Sequence, residues 1–343
     1  MTHHTSQGKK LRIAIDAMGG DFAPAEIVKG AVMGARELKA EIILTGVVAD
    51  IERELAKHKI DNISCRIVEA TDVIKDGQEA AYEVFKKPKN SISLAAKLVK
   101  DGEADVTVSA GNTGACMVAA MQYLGMLPGL DRPMIGGAFL GLAPRTVLLD
   151  MGAVVGAQPY HMVNFAVAGA VYARSILGIE NPTVGLLNVG AEEGKGNEIA
   201  KAAYPLLKKS GLNFVGNVEG MDIPLGKVNV VVCDGFVGNI ILKFCEGLGR
   251  VVPKWLDREL KDSVDSRVLK NTNDKLHRLM NPATAMGGGP IWGVGGVSCV
   301  AHGAADAAQI VGTMKQAKQT LESDFVGKLR AELERIQGLV NQQ

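Results

Sequence analysis

The sequence predicts an α/β sandwich, and three observations carry that expectation. Val- and Ile-rich runs alternate with amphipathic stretches from Arg12 to Asp234. Most of the runs are continuously apolar, as strands covered on both faces must be. Four of them lead straight into glycine-rich segments that carry polar residues: Asp16 to Pro24, Ser109 to Gly114, Leu187 to Asn197 and Asp234 to Asn239. In a parallel sheet the strand ends share one edge, and ligands bind there. The chain is thus expected to deliver Asp, Asn, Ser, Thr, Lys and backbone N–H groups to one cleft. That is the chemistry of holding a phosphate.

The expected strands are Arg12–Ala17, Glu41–Gly46, Cys65–Glu69, Asp105–Ser109, Thr146–Asp150, Val184–Val189, Asn213–Val218 and Val228–Cys233. Pro24 suits the first turn of a helix running to Lys39. Ser91 is expected to cap a helix that Gly102 stops, and Asn112 or Thr113 one through Tyr123. A further helix opens at Gly196-Asn197 and ends at Gly211, with Pro205 inside it. Ile240 to Asn271 reads as an almost continuous helix with a stripe of Val252, Leu256, Leu260, Val264 and Val268. That stripe suits packing on the body or on a second subunit, and Val251, Trp255 and Leu256 also suit contact with a membrane surface. A last charged helix is expected from Asp306 to Gln337.

The chain reads as a disordered tail over 1–10 and one α/β catalytic domain over 11–340, with the helical segment 240–280 attached. Hydrophobic residues make up 47 % of it, enough for a sizeable core, and aromatics only 4 %, which suits close helix-on-sheet packing. With 38 basic and 37 acidic residues, no global field calls for nucleic acid. Five scattered cysteines without a C-x-x-C fit a reducing cytosol and exclude a disulfide framework. The polar N-terminus lacks a signal-peptide core, and no apolar stretch is long enough to span a bilayer. No clustered ligand set implies a metal, and no cofactor is expected.

Each glycine-rich segment offers named chemistry. Gly19 and Gly20 permit a tight turn, Asp21 can cap the helix that follows, and Asp16 is expected to orient donors or to meet the thiol side of a substrate. Ser109, Gly111, Asn112, Thr113 and Gly114 supply hydroxyls, an amide and N–H groups at a helix start. Their spacing is neither a Walker loop nor a dinucleotide fingerprint. Lys195, between Gly194 and Gly196, is the cation set within such a loop, beside Asn188 and Gly190. Asp234, Gly235 and Gly238 lead to Asn239, whose NH₂ can stabilise an oxyanion. His302, in a glycine-rich setting, suits a general acid or a phosphate contact. Cys116 and Cys233 read as small core residues.

Together, Asp16-Ala-Met-Gly-Gly-Asp, Ser109-Ala-Gly-Asn-Thr-Gly, Leu186-Leu-Asn-Val-Gly and Asp234-Gly-Phe-Val-Gly-Asn resemble the motifs of the PlsX family of bacterial phosphate acyltransferases. The likeness runs from Arg12 to beyond Val300. It implies acyl transfer from an acyl-carrier-protein thioester to inorganic phosphate, with the acyl phosphate feeding phospholipid synthesis through a glycerol-3-phosphate acyltransferase. It also implies an isopropylmalate-dehydrogenase-like three-layer α/β/α fold with a protruding helical segment, a homodimer, and a cytoplasmic enzyme that meets the inner face of the membrane transiently. The chain departs from the family pattern at Tyr82–Ser91, Val154–Gln158 and His302–Ala305. Within this resemblance Lys195, Asn239 and His302 are the expected catalytic residues. Three competing readings are an acyl-CoA-using phosphate acetyltransferase, a metal-dependent hydroxyacid dehydrogenase and a non-catalytic membrane scaffold. The dehydrogenase would need an acidic metal cluster and a nucleotide fingerprint, and the sequence has neither.

Overall fold

The structure, a computed structural model, describes residues 10–75, 77, 79–280 and 287–340. Residues 1–9 of the tail expected over 1–10 therefore lie outside the described residues. The chain forms an α/β fold and divides into two compact units, one of residues 1–133 with 286–327, the other of 134–285 with 328–343.

In the first unit the strands are β1 (Arg12–Asp16), β2 (Glu41–Gly46), β3 (Cys65–Glu69) and β4 (Val106–Ser109), joined late in the chain by β10 (Gly288–Trp292) and β11 (Val297–Ala301). Their order is β3-β2-β1-β4-β11-β10, parallel except for β10, which runs against β11. The helices are α1 (Ala25–Leu38), α2 (Val48–Leu55), α3 (Ala80–Lys86), α4 (Ser91–Lys100), α5 (Thr113–Leu124) and, after β11, α10 (Ala307–Glu322). Alternation along β1 covers both sheet faces. Ile13 and Ile15 pack with Ile27 and Val28 of α1 and with Ile310 and Met314 of α10. Ala14 faces the other way, among Ala95 and Leu98 of α4.

The second unit holds β5 (Met134–Ala138), β6 (Val147–Leu149), β7 (Thr183–Leu187), β8 (Asn213–Val218) and β9 (Val230–Val232). Their order is β5-β6-β9-β7-β8, with β5 alone antiparallel. The helices α6 (Pro159–Ser175), α7 (Glu198–Lys209), α8 (Gly235–Leu260) and α9 (Ser266–Met280) belong here, and α11 (Phe325–Val340) runs into it. Leu148 and Val231 pack with Ile241 and Leu242 of α8. Gly169 of α6 lets that helix sit against Val230 and Leu149 on the opposite face. Each unit is thus helix, sheet, helix in section.

Several expectations change on folding. Ser91 is not a cap: Asn90 holds that position, its Oδ1 accepting from the Ser93 N–H at 2.8 Å, and Ser91 is the first helical residue. The long helix expected over Ile240–Asn271 breaks after Leu260 and folds back as α9, tied by Asn273 Nδ2 to Asp257 Oδ1 at 2.5 Å and by the His277 ring to the Gly249 carbonyl at 3.1 Å. The last charged helix is two, α10 and α11, with Asp324 between them at φ 50°. Strands β5, β10 and β11 fall outside the expected set. Glycine in Met134-Ile-Gly-Gly-Ala138 and Gly288-Gly-Pro-Ile-Trp292 weakens the strand signal there.

Candidate active site

In the first unit, register builds the site. Ile15 lies opposite Val108, so the next residues, Asp16 and Ser109, are neighbours at the ends of parallel strands. Val300 of β11 pairs with Ser109, which brings His302 to the same edge. The Asp16 side chain is fully buried. Its Oδ2 accepts from the Ser109 hydroxyl at 2.6 Å and its Oδ1 from the Met18 N–H at 3.1 Å. Ser109 Oγ in turn accepts from the Gly111 N–H at 3.0 Å. Burial pushes the Asp16 carboxyl above its ordinary value, against the pull of these hydrogen bonds.

Two glycines make this approach possible. A Cβ on Gly19 would sit 2.3 Å from Asp16 Oδ2 and 2.5 Å from the Gly111 nitrogen. Gly20, at φ +100°, turns the chain so that the Asp21 N–H donates to the Gly303 carbonyl at 2.8 Å. Asp21 does not cap α1. Pro24 occupies the cap position, and no side chain caps this helix, because an extra turn separates Asp21 from the helix start.

Asn112 caps α5, its Oδ1 accepting from the Ala115 N–H at 3.0 Å. The N–H groups of Thr113 and Gly114, in the first turn of α5, have no acceptor in a preceding turn of helix and point along its positive end. His302 is exposed, and its Nδ1 accepts from the Ala304 N–H at 3.2 Å, so the neutral ring carries its proton on Nε2.

The second unit gathers a second set. β6, β9 and β7 are parallel neighbours, so Asp150, Asp234 and Asn188 follow strands that end at one edge. Asp234 caps α8 through Oδ1 to the Phe236 N–H at 2.8 Å, while Oδ2 accepts from the Ala157 N–H at 2.6 Å. It therefore ties the 150–158 loop to the helix start. Gly235 and Gly238 allow the contact. A Cβ on Gly238 would meet the Asp150 carbonyl oxygen at 1.9 Å, and one on Gly235 would meet Asp150 Oδ2 at 2.5 Å. Asn239, exposed on the fifth residue of α8, lies beside Gly152.

Asn188 staples its own loop. Its Nδ2 donates to the Lys195 carbonyl at 2.9 Å and its Oδ1 accepts from the Val189 N–H at 2.8 Å. The Lys195 stem runs past Gly190, and the side chain is exposed.

Asp150 was outside the expected site set. It is fully buried, with Oδ1 accepting from the Ile135 N–H at 3.0 Å and Oδ2 from the Val154 N–H at 2.6 Å, and burial raises its carboxyl. The signal was present: Leu149-Asp-Met-Gly152 repeats the strand–Asp–Gly pattern of Asp16. Cys233 and Cys116 are both buried core residues, and burial drives the Cys233 thiol well above its ordinary value.

The fold is that of the phosphotransacetylases. The EutD phosphotransacetylase from Staphylococcus aureus superposes with a TM-score of 0.60 at 16 % identity, covering 91 % of this chain and 94 % of that one. A branched-chain phosphotransacylase from Enterococcus faecalis V583 gives 0.58 at 14 %, covering 91 % and 99 %. The chain belongs to the fatty acid synthesis protein family, whose model matches residues 11–328. Relatives named phosphate acyltransferase include one from Desulfitobacterium hafniense (strain Y51), 44 % identical over 95 % of this chain and 98 % of its own, and one from Gloeobacter violaceus, 42 % identical over 95 % and 97 %. Membership in that family makes the chain an enzyme of the acyltransferase class. Among the described residues no helix is long and apolar enough to cross a membrane.

Proposed function

We propose that this chain transfers a fatty acyl group from an acyl-carrier-protein thioester to inorganic phosphate, yielding acyl phosphate and the free carrier-protein thiol. One observation carries the reading: the hydrogen-bonded chain Asp16–Ser109–Gly111 beneath the start of α5, in a protein 42–44 % identical to phosphate acyltransferases. A phosphate oxygen attacks the thioester carbonyl, the tetrahedral oxyanion collapses, and the C–S bond breaks. The departing thiol has an ordinary pKa of ~8.5, so strong acid assistance is unnecessary. The protein's tasks are then positioning and charge stabilisation. In the first unit Ser109, Asn112, Thr113 and Gly114 are suited to cradle phosphate, and the Nε2–H of His302 to contact or protonate an anion at the same edge. In the second, Lys195 is suited to neutralise an anion and Asn239 to serve an oxyanion.

The carrier protein is acidic, and exposed Arg250, Lys254, Arg258 and Lys261 are its proposed landing face. Val251 and Trp255, 62 % and 51 % exposed, are proposed to meet a second subunit or the cytoplasmic face of the membrane, where a glycerol-3-phosphate acyltransferase would consume the product.

A second reading, with acyl-CoA as donor, draws on the phosphotransacetylase fold. The test incubates the purified protein with phosphate and either donor and traps acyl phosphate with hydroxylamine. Phosphate-dependent product from the carrier-protein thioester alone is the expected outcome. Product from acyl-CoA alone would favour the second reading, and product from neither would sink both.

A further inference from the structure

Six polar side chains lie buried beneath the α5 cradle in the first unit. They are Asp16, Thr45, Asn90, Ser91, Ser93 and Ser109, none more than 5 % exposed. Five of them have hydrogen-bond partners. Thr45 Oγ1 donates to the Ser91 carbonyl at 2.8 Å, and Asn90 Nδ2 donates to Ser93 Oγ at 2.8 Å and to the Lys87 carbonyl at 2.6 Å. The exception is the hydroxyl of Ser91, which is 1 % exposed and makes no hydrogen bond.

A buried hydroxyl without a partner is costly, and native interiors rarely leave one. Ser91 is not adrift, however. Its N–H donates to the Asp72 carbonyl at 3.2 Å, its own carbonyl is held by Thr45, and Asn90 caps the helix it opens. The next residue, Ile92, packs its Cδ1 3.0 Å from where a Cβ on Gly111 would stand. Ser91 is thus pinned by its backbone against the same loop that Ser109 supports. Thr45 Oγ1, which holds the Ser91 carbonyl, also lies 3.3 Å from the carbonyl of Ile15, so Ser91 sits beside the strand end that carries Asp16. Its hydroxyl acts to lower the Asp16 carboxyl but does not meet the geometry of a hydrogen bond.

Ser109 has competing duties. Its single O–H proton is spent on Asp16, and its oxygen already accepts from Gly111. To donate to a phosphate in the cradle, it must release Asp16. That would leave a buried carboxylate short of a donor, which is strongly unfavourable.

We infer that Ser91 is a positioning residue that takes over Asp16 when an anion arrives, so that Ser109 turns its proton from Asp16 to the bound phosphate. The exchange needs only rotation of two hydroxyls. No proton changes owner and no backbone moves. The inference rests on the phosphate acyltransferase reading and deepens it: the cradle is a relay with its spare donor built in.

The experiment is calorimetric titration of inorganic phosphate into the full chain and its variants. Ser91→Ala should weaken phosphate binding about tenfold or more, the range expected when a charged acceptor loses a donor. Ser91→Thr, which keeps the hydroxyl, should restore most of it. Ser91→Cys, close in volume but a weak donor, should fall between, and it keeps the test alive if the alanine variant fails to fold. In turnover, the loss should appear in KM for phosphate and not in KM for the acyl donor. The decisive variant is double: Ser91→Ala with Ser109→Ala should bind no worse than Ser109→Ala alone, because Ser91 acts only by releasing Ser109. Losses that multiply in the double variant, or a Ser91→Ala affinity within twofold of wild type, would overturn the relay. Absence of phosphate binding by the wild type would instead overturn the functional reading beneath it.

Discussion

The Ser109 hydroxyl donates to Oδ2 of Asp16 at 2.6 Å although 93 residues separate the two in the chain. Parallel pairing of β1 with β4 accounts for the meeting, since it aligns the last residue of each strand. A buried carboxylate at a strand end, facing a hydroxyl and a helix N-terminus, is an arrangement with pH consequences.

The folded chain holds the Asp16 proton to a higher pH than the unfolded chain does, because burial raises its carboxyl. Between the unfolded value of ~3.9 and the raised folded value, the folded state binds more protons. Stability from this group is therefore lost as pH rises through that window. Asp16→Asn does not titrate. The unfolding free energy of wild type minus that of Asp16→Asn should fall as pH increases above about 4. Urea unfolding at a series of pH values checks this, and a pH-independent difference would remove the argument.

Close approach makes specific glycines irreplaceable. Gly238→Ala places a Cβ 1.9 Å from the Asp150 carbonyl oxygen, and Gly19→Ala places one 2.3 Å from Asp16 Oδ2. Each should destabilise by about 1–3 kcal/mol, with Gly238→Ala the worse because its closest backbone contact is tighter, 1.9 Å against 2.5 Å to the Gly111 nitrogen at Gly19. Gly247→Ala is the internal control. It lies in the interior of α8 with nothing within 4 Å of its Cβ direction, and alanine there should stabilise by roughly 0.5–1 kcal/mol. Thermal unfolding of the three variants settles the ranking. Equal effects at all three would show that these approaches are looser than drawn.

Lys195 and Asn239 are exposed side chains whose proposed roles are chemical. Lys195→Ala and Asn239→Ala should each change stability by no more than about 0.5 kcal/mol. Asn239→Ala should lower kcat by about 10²–10³, the usual cost of an oxyanion donor. Lys195→Ala should raise KM for phosphate, most at low ionic strength. Near-normal turnover in both variants would strip them of these roles.

Much of this was legible in local sequence. A β-branched run that ends in Asp and is followed by Gly marks a strand delivering a carboxylate to a tight turn, and it identified Asp16 and Asp234. The same pattern at Leu149-Asp-Met-Gly152 marks Asp150, but that carboxylate spends itself on the backbone N–H groups of Ile135 and Val154. A sequence motif does not reveal such partners. Asn188 shows the same limit from the other side. Its position after β7 suggests a ligand contact, whereas its amide staples the Lys195 loop. Ser91 looked like a cap because Ser often is one. Asn90 takes the role by one residue, and that shift buries the Ser91 hydroxyl.

By itself the sequence determined what depends on near neighbours: which runs extend, where glycine turns the chain, that α5 is capped at Asn112 or Thr113, and the family to which those motifs belong. Tertiary structure alone decided what depends on strand order. It put Asp16 beside Ser109, sorted the motif residues into two sets in two units, and buried the Ser91 hydroxyl without a hydrogen-bond partner. The physical reason is that periodicity and capping are energies of a few adjacent residues, whereas register and burial are set by whichever distant segment packs alongside.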